Sequence, residues 1–153
     1  MKKREEIVIY TIIMILLLTD QITKIIAINR GWTIQNNDTS NNGYYILISI
    51  IIIFMLIRYI TNNNTFIKMG TKIVLSFAIS GGIGNLIDRI WNKNVILFIN
   101  LNNHIELNFS YIYILIAWIG MAIILTINTT KFLNDKKNKN IKRDDLKNEN
   151  SNK

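Results

Sequence analysis

The sequence SGGIGNLIDRI, residues 80–90, decides how the rest of the chain is interpreted. It ends an apolar run that begins near Ile73, and it combines three glycines with an amide, a carboxylate and a guanidinium. Small residues at such spacing let helix backbones approach closely inside a membrane. On a helix Asn85 shares a face with both Asp88 and Arg89. The stretch is therefore either a helix end whose Arg89 snorkels to the surface or a polar cluster facing a cavity at one membrane surface, because intramembrane ionisable groups are costly and usually functional.

The apolar runs, rather than the average composition, define the class of protein. Half of the 153 residues are hydrophobic, but soluble domains also reach this fraction. Cysteine is absent, which excludes disulfides, thiolate nucleophiles and cysteine metal sites. His104 is the single histidine, so we expect no metal and no cofactor. The net charge of +8 is concentrated at the two ends of the chain, so it indicates membrane topology and no nucleic-acid partner.

Long apolar segments predict an all-α integral membrane protein with four transmembrane helices and a small extracytoplasmic loop region. A spanning helix needs about 20 apolar residues. We predict a membrane domain over residues 1–127, with spans at residues 7–28, 44–60, 73–90 and 109–127. Residues 128–153 are rich in lysine and asparagine and poor in apolar residues, so we predict a basic, disordered tail.

The first span and the two longer connections carry polar residues of their own. Asp20 and Lys24 are four apart and can pair on one helix face, where the pair either neutralises itself or lines a polar cavity. Residues 29–43 are predicted to be an exposed loop, because their alternation is too weak to indicate a strand. Residues 91–108 mix VILFINL with NNHIELN, so this segment either forms a short hairpin or lies along the interface.

The basic residues beside the spans predict that both termini are cytoplasmic. With the N-terminus inside, the basic residues of the N-terminus, the second connection and the tail lie in the cytoplasm. The outer side keeps a few basic residues, namely Lys24, Arg30, Arg89 and Lys93. It also holds four carboxylates, namely Asp20, Asp38, Asp88 and Glu106. The polar cluster of residues 80–90 is therefore predicted to face outward.

Three blocks of the sequence occur in the order found in a known family. TDQITK lies at residues 19–24, NNG at residues 41–43 and SGGIGNLIDRI at residues 80–90. They resemble the DQxTK, N-x-G and GGAxGNLIDR blocks of lipoprotein signal peptidase, also called signal peptidase II. This family consists of four-helix membrane aspartic proteases that remove signal peptides from prolipoproteins after diacylglyceryl has been attached. The resemblance in length and topology extends over about residues 7–127.

The positions that the resemblance assigns to two catalytic aspartates carry other residues. The family places one aspartate eight residues after the arginine of the third block, where this chain has Leu97. It places the second at the start of the fourth helix, where this chain has Tyr111. Two carboxylates that share a proton supply an acid and a base for hydrolysis. Leucine has no proton to exchange, and tyrosine is a poor base at neutral pH. The resemblance therefore predicts a relative that lacks both catalytic aspartates.

The resemblance implies a multi-pass protein of the bacterial cytoplasmic membrane that contacts membrane lipid and binds lipid-modified prolipoprotein signal peptides, with impaired catalysis. The residues that match the family's ligand-facing positions are Asp20, Lys24, Asn41, Gly43, Asn85, Asp88, Arg89 and Asn108. One alternative is an active peptidase with displaced acids such as Asp88 and Glu106. Another is a non-enzymatic immunity-type or structural membrane protein on the same scaffold. Ser110 with Lys24 would suggest a serine–lysine protease, but the sequence does not bring them together. The sequence identifies no catalytic residue and does not indicate an oligomeric state.

Overall fold

A computed structural model describes residues 3–34, 42–62, 67–101 and 105–151, with side chains described up to residue 140. Over these ranges the chain forms four helices and a hairpin: α1 (Lys3–Asn29), α2 (Asn42–Thr61), α3 (Met69–Asn92), β1 (Ile99–Leu101), β2 (Ile105–Leu107) and α4 (Phe109–Ser151). All four helices contain a segment long and apolar enough to cross a membrane. The prediction of an all-α membrane protein with four spanning helices is confirmed.

The helix α3 lies at the centre of the packed part of the molecule. Both α1 and α2 pack against it. Its small residues explain this position, because a helix without bulky side chains on one face lets neighbouring backbones approach. A Cβ built on Gly82 would lie 3.1 Å from Cγ1 of Ile53, so α2 contacts α3 at this glycine. On another face Ser80 Oγ donates a hydrogen bond of 3.4 Å to the carbonyl of Ile13 in α1.

Ion pairs at opposite ends show that α1 and α3 run in the same direction. Near the helix N-termini, Lys72 Nζ lies 3.1 Å from Glu5 Oε2. Near the C-termini, Lys24 Nζ lies 2.7 Å from Asp88 Oδ2. This parallel arrangement is what alternate membrane crossings by α1, α2 and α3 require.

The segment after α3 contains an antiparallel hairpin, one of the two arrangements predicted for residues 91–108. The strands β1 and β2 pair Ile99 with Leu107, Asn100 with Glu106 and Leu101 with Ile105. Lys93, with φ of 59°, ends α3 in the left-handed conformation and turns the chain toward the hairpin. The carbonyl of Leu97 accepts a hydrogen bond of 2.9 Å from the N–H of Ile34, so a single bridge ties the end of the first loop to this segment.

In the C-terminal part of the chain, α4 continues beyond the predicted fourth span, which ends at residue 127. The chain divides into two compact units, Met1–Ile119 and Gly120–Lys153. Residues 128–153 are predicted from composition to be a disordered tail; in the part of this segment that the structure describes, α4 is helical up to Ser151. No glycine or proline follows Gly120 in the sequence, so neither of the two residues least compatible with a helix interior interrupts this segment. Residues 125–140 expose their side chains, so this extension has no packed partner in its own unit.

Candidate functional site

A buried ion cluster joins α1 to α3. Lys24 Nζ lies 2.6 Å from Asp20 Oδ2 and 2.7 Å from Asp88 Oδ2, and the exposed fraction of each of the three side chains is 2% or less. The predicted pairing of Asp20 with Lys24 is confirmed, and Asp88 is a second partner that helical spacing within α1 did not indicate. One cation between two anions leaves a net negative charge, which burial makes costly unless other donors approach.

Backbone and amide donors complete the solvation of this ion cluster. Asp20 Oδ1 accepts a hydrogen bond of 2.8 Å from the N–H of Ser110, and Asp20 Oδ2 accepts one of 3.1 Å from Gln21 Nε2. Asp88 Oδ2 accepts one of 3.1 Å from the N–H of Ile96. The two backbone donors come from α4 and from the segment before β1, so the cluster holds those elements against α1 and α3.

Asn108 occupies the junction between the hairpin and α4. Its Nδ2 donates to Asn85 Oδ1 and to the carbonyl of Ile96, each at 2.9 Å. Its Oδ1 accepts a hydrogen bond of 2.8 Å from the N–H of Tyr111, which is the arrangement of a helix N-cap. Asn108 is fully buried and Asn85 is 3% exposed. The two asparagines therefore bond to the protein itself.

The residues predicted to face a ligand fall into different places. Asp20, Lys24, Asn85, Asp88 and Asn108 are brought together as the buried polar core just described. Arg89 is half-buried at the edge of that core, where its Nη1 donates to the carbonyl of Asn85 at 3.4 Å.

The remaining predicted positions lie outside the core. Gly43 is exposed in the first turn of α2, with open space beside it. Asn41 lies outside the described residues. The guanidinium of Arg89 lies 5.7 Å from the ring centroid of Tyr45, a cation–π contact that joins α3 to the start of α2. Arg89 is therefore the charged member of the predicted set that remains partly accessible.

Two glycines of α3 set how closely α4 approaches. A Cβ on Gly81 would collide with the carbonyl oxygen of Ser110 and lie 2.8 Å from Cγ1 of Ile114. A Cβ on Gly84 would collide with Ser110 Oγ and lie 2.6 Å from Asp20 Oδ2. The small-residue spacing of residues 80–90 thus serves the contact of α3 with α4.

Ser110 lies against the ion cluster, a contact that the sequence alone did not predict. Its Oγ is buried and has no hydrogen-bond partner among the described residues. A serine–lysine protease needs an accessible hydroxyl and a lysine free to take its proton. Here Ser110 is fully buried, and Lys24 Nζ is engaged by two carboxylates. Ser110 therefore serves close packing.

A groove of about 610 Å³ lies beside the hairpin at the start of α4. We name it the hairpin groove; its lining consists of Leu97, Glu106, Leu107, Tyr111, Ile112, Ile114, Leu115 and Trp118. Leu97 and Tyr111, the positions that the resemblance assigns to catalytic aspartates, both line it. Glu106 carries the only charge among these eight residues. Such a surface can hold an apolar chain, but a single carboxylate cannot act as acid and base at once.

Comparison with known proteins identifies structures that share the fold of this chain. No protein-family model and no curated protein matches the sequence. A structure described as a bacterial membrane enzyme determined by the in meso method at 2.3 Å resolution matches with a TM-score of 0.71 and 19% identity, covering 81% of this chain and 90% of that chain. A second, described in the same way at 1.9 Å resolution, matches with a TM-score of 0.67 and 20% identity, covering 77% and 92%. The chain has the fold of these bacterial membrane enzymes.

Proposed function

We propose that this chain is a signal peptidase II-like protein of the bacterial cytoplasmic membrane that binds lipid-modified signal peptides of prolipoproteins and does not cleave them. One observation carries the proposal. Leu97 and Tyr111 come from different segments, yet both line the hairpin groove. If the groove corresponds to a peptidase site, its two acids are replaced by an apolar and a phenolic side chain. The likeness in fold to bacterial membrane enzymes and the three sequence blocks support the same proposal.

An active peptidase with displaced acids has weaker support. Asp88 and Asp20 are both buried and bonded to Lys24, so neither is free to activate water beside a substrate. Glu106 lines the hairpin groove, but it is the only carboxylate among the described residues of that lining. Loss of a general base alone costs on the order of 10²–10⁴ in rate. Binding needs no such pair of acids, and the apolar wall of the groove suits a lipid-modified peptide.

The test is complementation of a peptidase-deficient bacterial strain, with prolipoprotein processing followed on a gel. We expect no processing by the native chain. In parallel, a photoreactive lipid-modified signal peptide in membranes should crosslink to it. The matched variant restores both acids, Leu97→Asp with Tyr111→Asp, and should recover some cleavage, whereas either change alone should not.

Each outcome of this experiment separates the candidates. Processing by the native chain would contradict the proposal and direct the search for catalytic acids to Asp20, Asp38, Asp88 and Glu106. If the chain shows neither processing nor crosslinking, the immunity-type or structural alternative is left, in which the three matching blocks serve only the scaffold. Crosslinking without processing is the expected result.

A further inference from the structure

Positive charge begins on α4 where its apolar run ends. The apolar run ends at Ile127, and we name residues 128–143, which follow on the same helix, the basic extension. The basic extension contains six basic residues and one acidic residue, whereas residues 144–153 contain two basic and three acidic residues. The charge is therefore concentrated in the part of the chain that directly follows the spanning segment.

The lysines of the basic extension are free to meet a partner. Those whose side chains the structure describes are Lys131, Lys136, Lys137 and Lys139. All four are exposed, and none of them forms an ion pair with another described residue. An exposed group of uncompensated lysines is complementary in charge to an anionic surface.

The depth and direction of these lysines match the headgroup layer of a bilayer. Along the helix, Lys131 lies roughly 6 Å beyond Ile127, and Lys136 and Lys137 lie roughly 14–15 Å beyond it. A headgroup layer is about 5–8 Å thick, and helical side chains lean toward the N-terminus, here toward the membrane. These three lysines leave the helix in different directions, as a helix that passes through the headgroups requires. A helix lying flat on the membrane would have its lysines on one face.

Two apolar side chains between the lysines favour lipid over an aqueous partner. Phe132 is 67% exposed and Leu133 is 57% exposed, although polar residues flank them on both sides. At the boundary between headgroups and acyl chains, such side chains are buried while neighbouring lysines meet phosphates. A nucleic acid would neutralise the lysines but leave both apolar side chains in water.

We infer that the basic extension binds the headgroups of anionic phospholipids, in preference to those of zwitterionic phospholipids, where α4 leaves the membrane. The distribution of lysine and arginine predicts that this end of α4 is cytoplasmic, and the cytoplasmic leaflet has a negative surface potential. The inference concerns residues outside the hairpin groove and does not rest on the proposed function.

The test measures lipid selectivity in the full chain, reconstituted in phosphatidylcholine vesicles at low ionic strength. Trace spin-labelled phosphatidylglycerol or phosphatidylcholine is added, and electron paramagnetic resonance gives the fraction of each label that the protein restricts. The test variant changes three lysines together, namely Lys131→Gln, Lys136→Gln and Lys137→Gln. A basic residue beside an anionic membrane surface contributes about a factor of five in binding, so this variant should lower the preference for phosphatidylglycerol roughly fivefold or more.

Two control variants accompany this measurement. Arginine at the same three positions retains the charge and should retain the preference. The matched control removes three lysines farther along the chain, namely Lys142→Gln, Lys147→Gln and Lys153→Gln. It should change the preference by less than about twofold, because exposed charges act over about 8 Å at physiological salt and only somewhat farther at lower salt.

A fluorophore on the basic extension gives a second measurement, because the chain has no cysteine of its own. Asn134→Cys carrying an environment-sensitive fluorophore should emit at shorter wavelength when phosphatidylglycerol replaces part of the phosphatidylcholine. Asn148→Cys, farther along the helix, should show no such shift.

The outcomes decide the inference. An unchanged preference in the glutamine variant would overturn it, and so would an equal loss in the matched control, because net charge alone would then explain the selectivity. If the fluorophore at position 134 emits as it does in water with both lipid compositions, the basic extension does not meet the headgroups, and its lysines are left to a nucleic acid or an acidic protein.

Discussion

Lys24 bridges two carboxylates that are shielded from the surroundings of the protein. Asp20 is fully buried and Asp88 is 1% exposed. Burying ions costs several kcal/mol for each, and mutual attraction repays this only when hydrogen bonds complete the arrangement. Donors from Ser110 and Ile96 do so here. The cluster therefore makes the packing of α1, α3 and α4 specific, and removing its single cation should be more damaging than removing a surface charge.

The first prediction compares two lysines. Lys24→Met keeps much of the apolar volume but leaves two buried carboxylates together, which should cost about 3–5 kcal/mol of unfolding free energy. Lys72→Met breaks a pair whose Glu5 side chain is 37% exposed and should cost about 1 kcal/mol or less. Denaturant unfolding in detergent micelles, followed by circular dichroism, measures both. Equal losses would contradict the role given to burial.

The second prediction concerns the close approach of α3 and α4. Gly81→Ala would drive a methyl group into the backbone of Ser110, and such overpacking should cost about 1–3 kcal/mol. Gly70→Ala is the matched control in the same helix, because nothing lies within 4 Å of its added Cβ. The control should be neutral or slightly stabilising, since alanine favours a helix over glycine. If Gly81→Ala leaves the free energy of unfolding unchanged, α3 and α4 can move apart without a loss of stability.

At the scale of elements, the start of α4 depends on side chains from elsewhere in the chain. The N–H of Tyr111 bonds to Asn108, and that of Ser110 bonds to Asp20 of α1. An anion near a helix N-terminus also interacts favourably with the helix dipole. The helix, the hairpin and the ion cluster are consequently parts of one polar network.

The third prediction separates the two tasks of Asn108. Asn108→Ser retains an oxygen that can cap α4 but loses the amide donations to Asn85 and Ile96. Asn108→Ala loses both tasks, and each buried group left without a partner costs about 1–3 kcal/mol. Stability should therefore fall in the order asparagine, serine, alanine, with about 0.5–2 kcal/mol between the last two from the cap. Thermal unfolding in micelles gives the order. Serine and alanine variants of equal stability would argue against the cap.

The sequence predicted elements better than it predicted their partners. Apolar length indicated all four spanning helices, and the mixed character of residues 91–108 allowed for the hairpin. Helical spacing paired Asp20 with Lys24, because that contact lies within one helix. It could not pair Lys24 with Asp88, because contacts between helices depend on rotation and depth.

Two further features could not be read from the sequence. The resemblance assigned Asn85 and Asn108 to ligand-facing positions, but residue type alone does not reveal that Asn108 donates a hydrogen bond to Asn85. Low apolar content predicted a disordered tail, whereas the helix α4 continues to Ser151 in a segment without glycine or proline. Residue polarity therefore predicted neither the hydrogen bond between Asn108 and Asn85 nor the helical backbone of the segment that follows residue 127.

At the scale of the whole molecule, the packed part has two chemically different ends. One end pairs Glu5 with Lys72, and the other contains the ion cluster, Asn108 and the hairpin. The distribution of lysine and arginine predicts that the end with the hairpin is external. That orientation decides whether the hairpin groove can meet a ligand outside the cytoplasm.

The fourth prediction tests this orientation with topology reporters. Fusions at Asn36 and Asn102 should read as external, and fusions at Asn63 and Asn138 as cytoplasmic, because basic residues are retained inside. Alkaline phosphatase and a cytoplasmic fluorescent protein give opposite signals at each position, which controls for expression. A cytoplasmic signal at Asn102 would turn the hairpin inward and remove the proposed access to the groove.

The last prediction concerns ligand binding by the accessible charge at the edge of the polar core. Arg89 is half-buried, and its guanidinium has five donors, of which one contact is made to the carbonyl of Asn85. The remaining donors can hold a carbonyl or carboxylate of a bound peptide. Arg89→Ala should therefore weaken binding of a lipid-modified signal peptide by roughly 1.5–3 kcal/mol, the value of a charge-assisted hydrogen bond.

Arg30→Ala is the matched control for this binding measurement. Arg30 lies 5.2 Å from the ring centroid of Trp32, a contact like that of Arg89 with Tyr45, and it is exposed. Both variants lose one positive charge and one cation–π contact. A difference between them in affinity for the lipid-modified signal peptide therefore reflects the location of Arg89 and not the loss of charge alone. Unfolding measured on the same samples separates lost binding from lost structure. If the two variants bind the peptide equally well, the donors of Arg89 make no contact that the ligand needs, and the prediction fails.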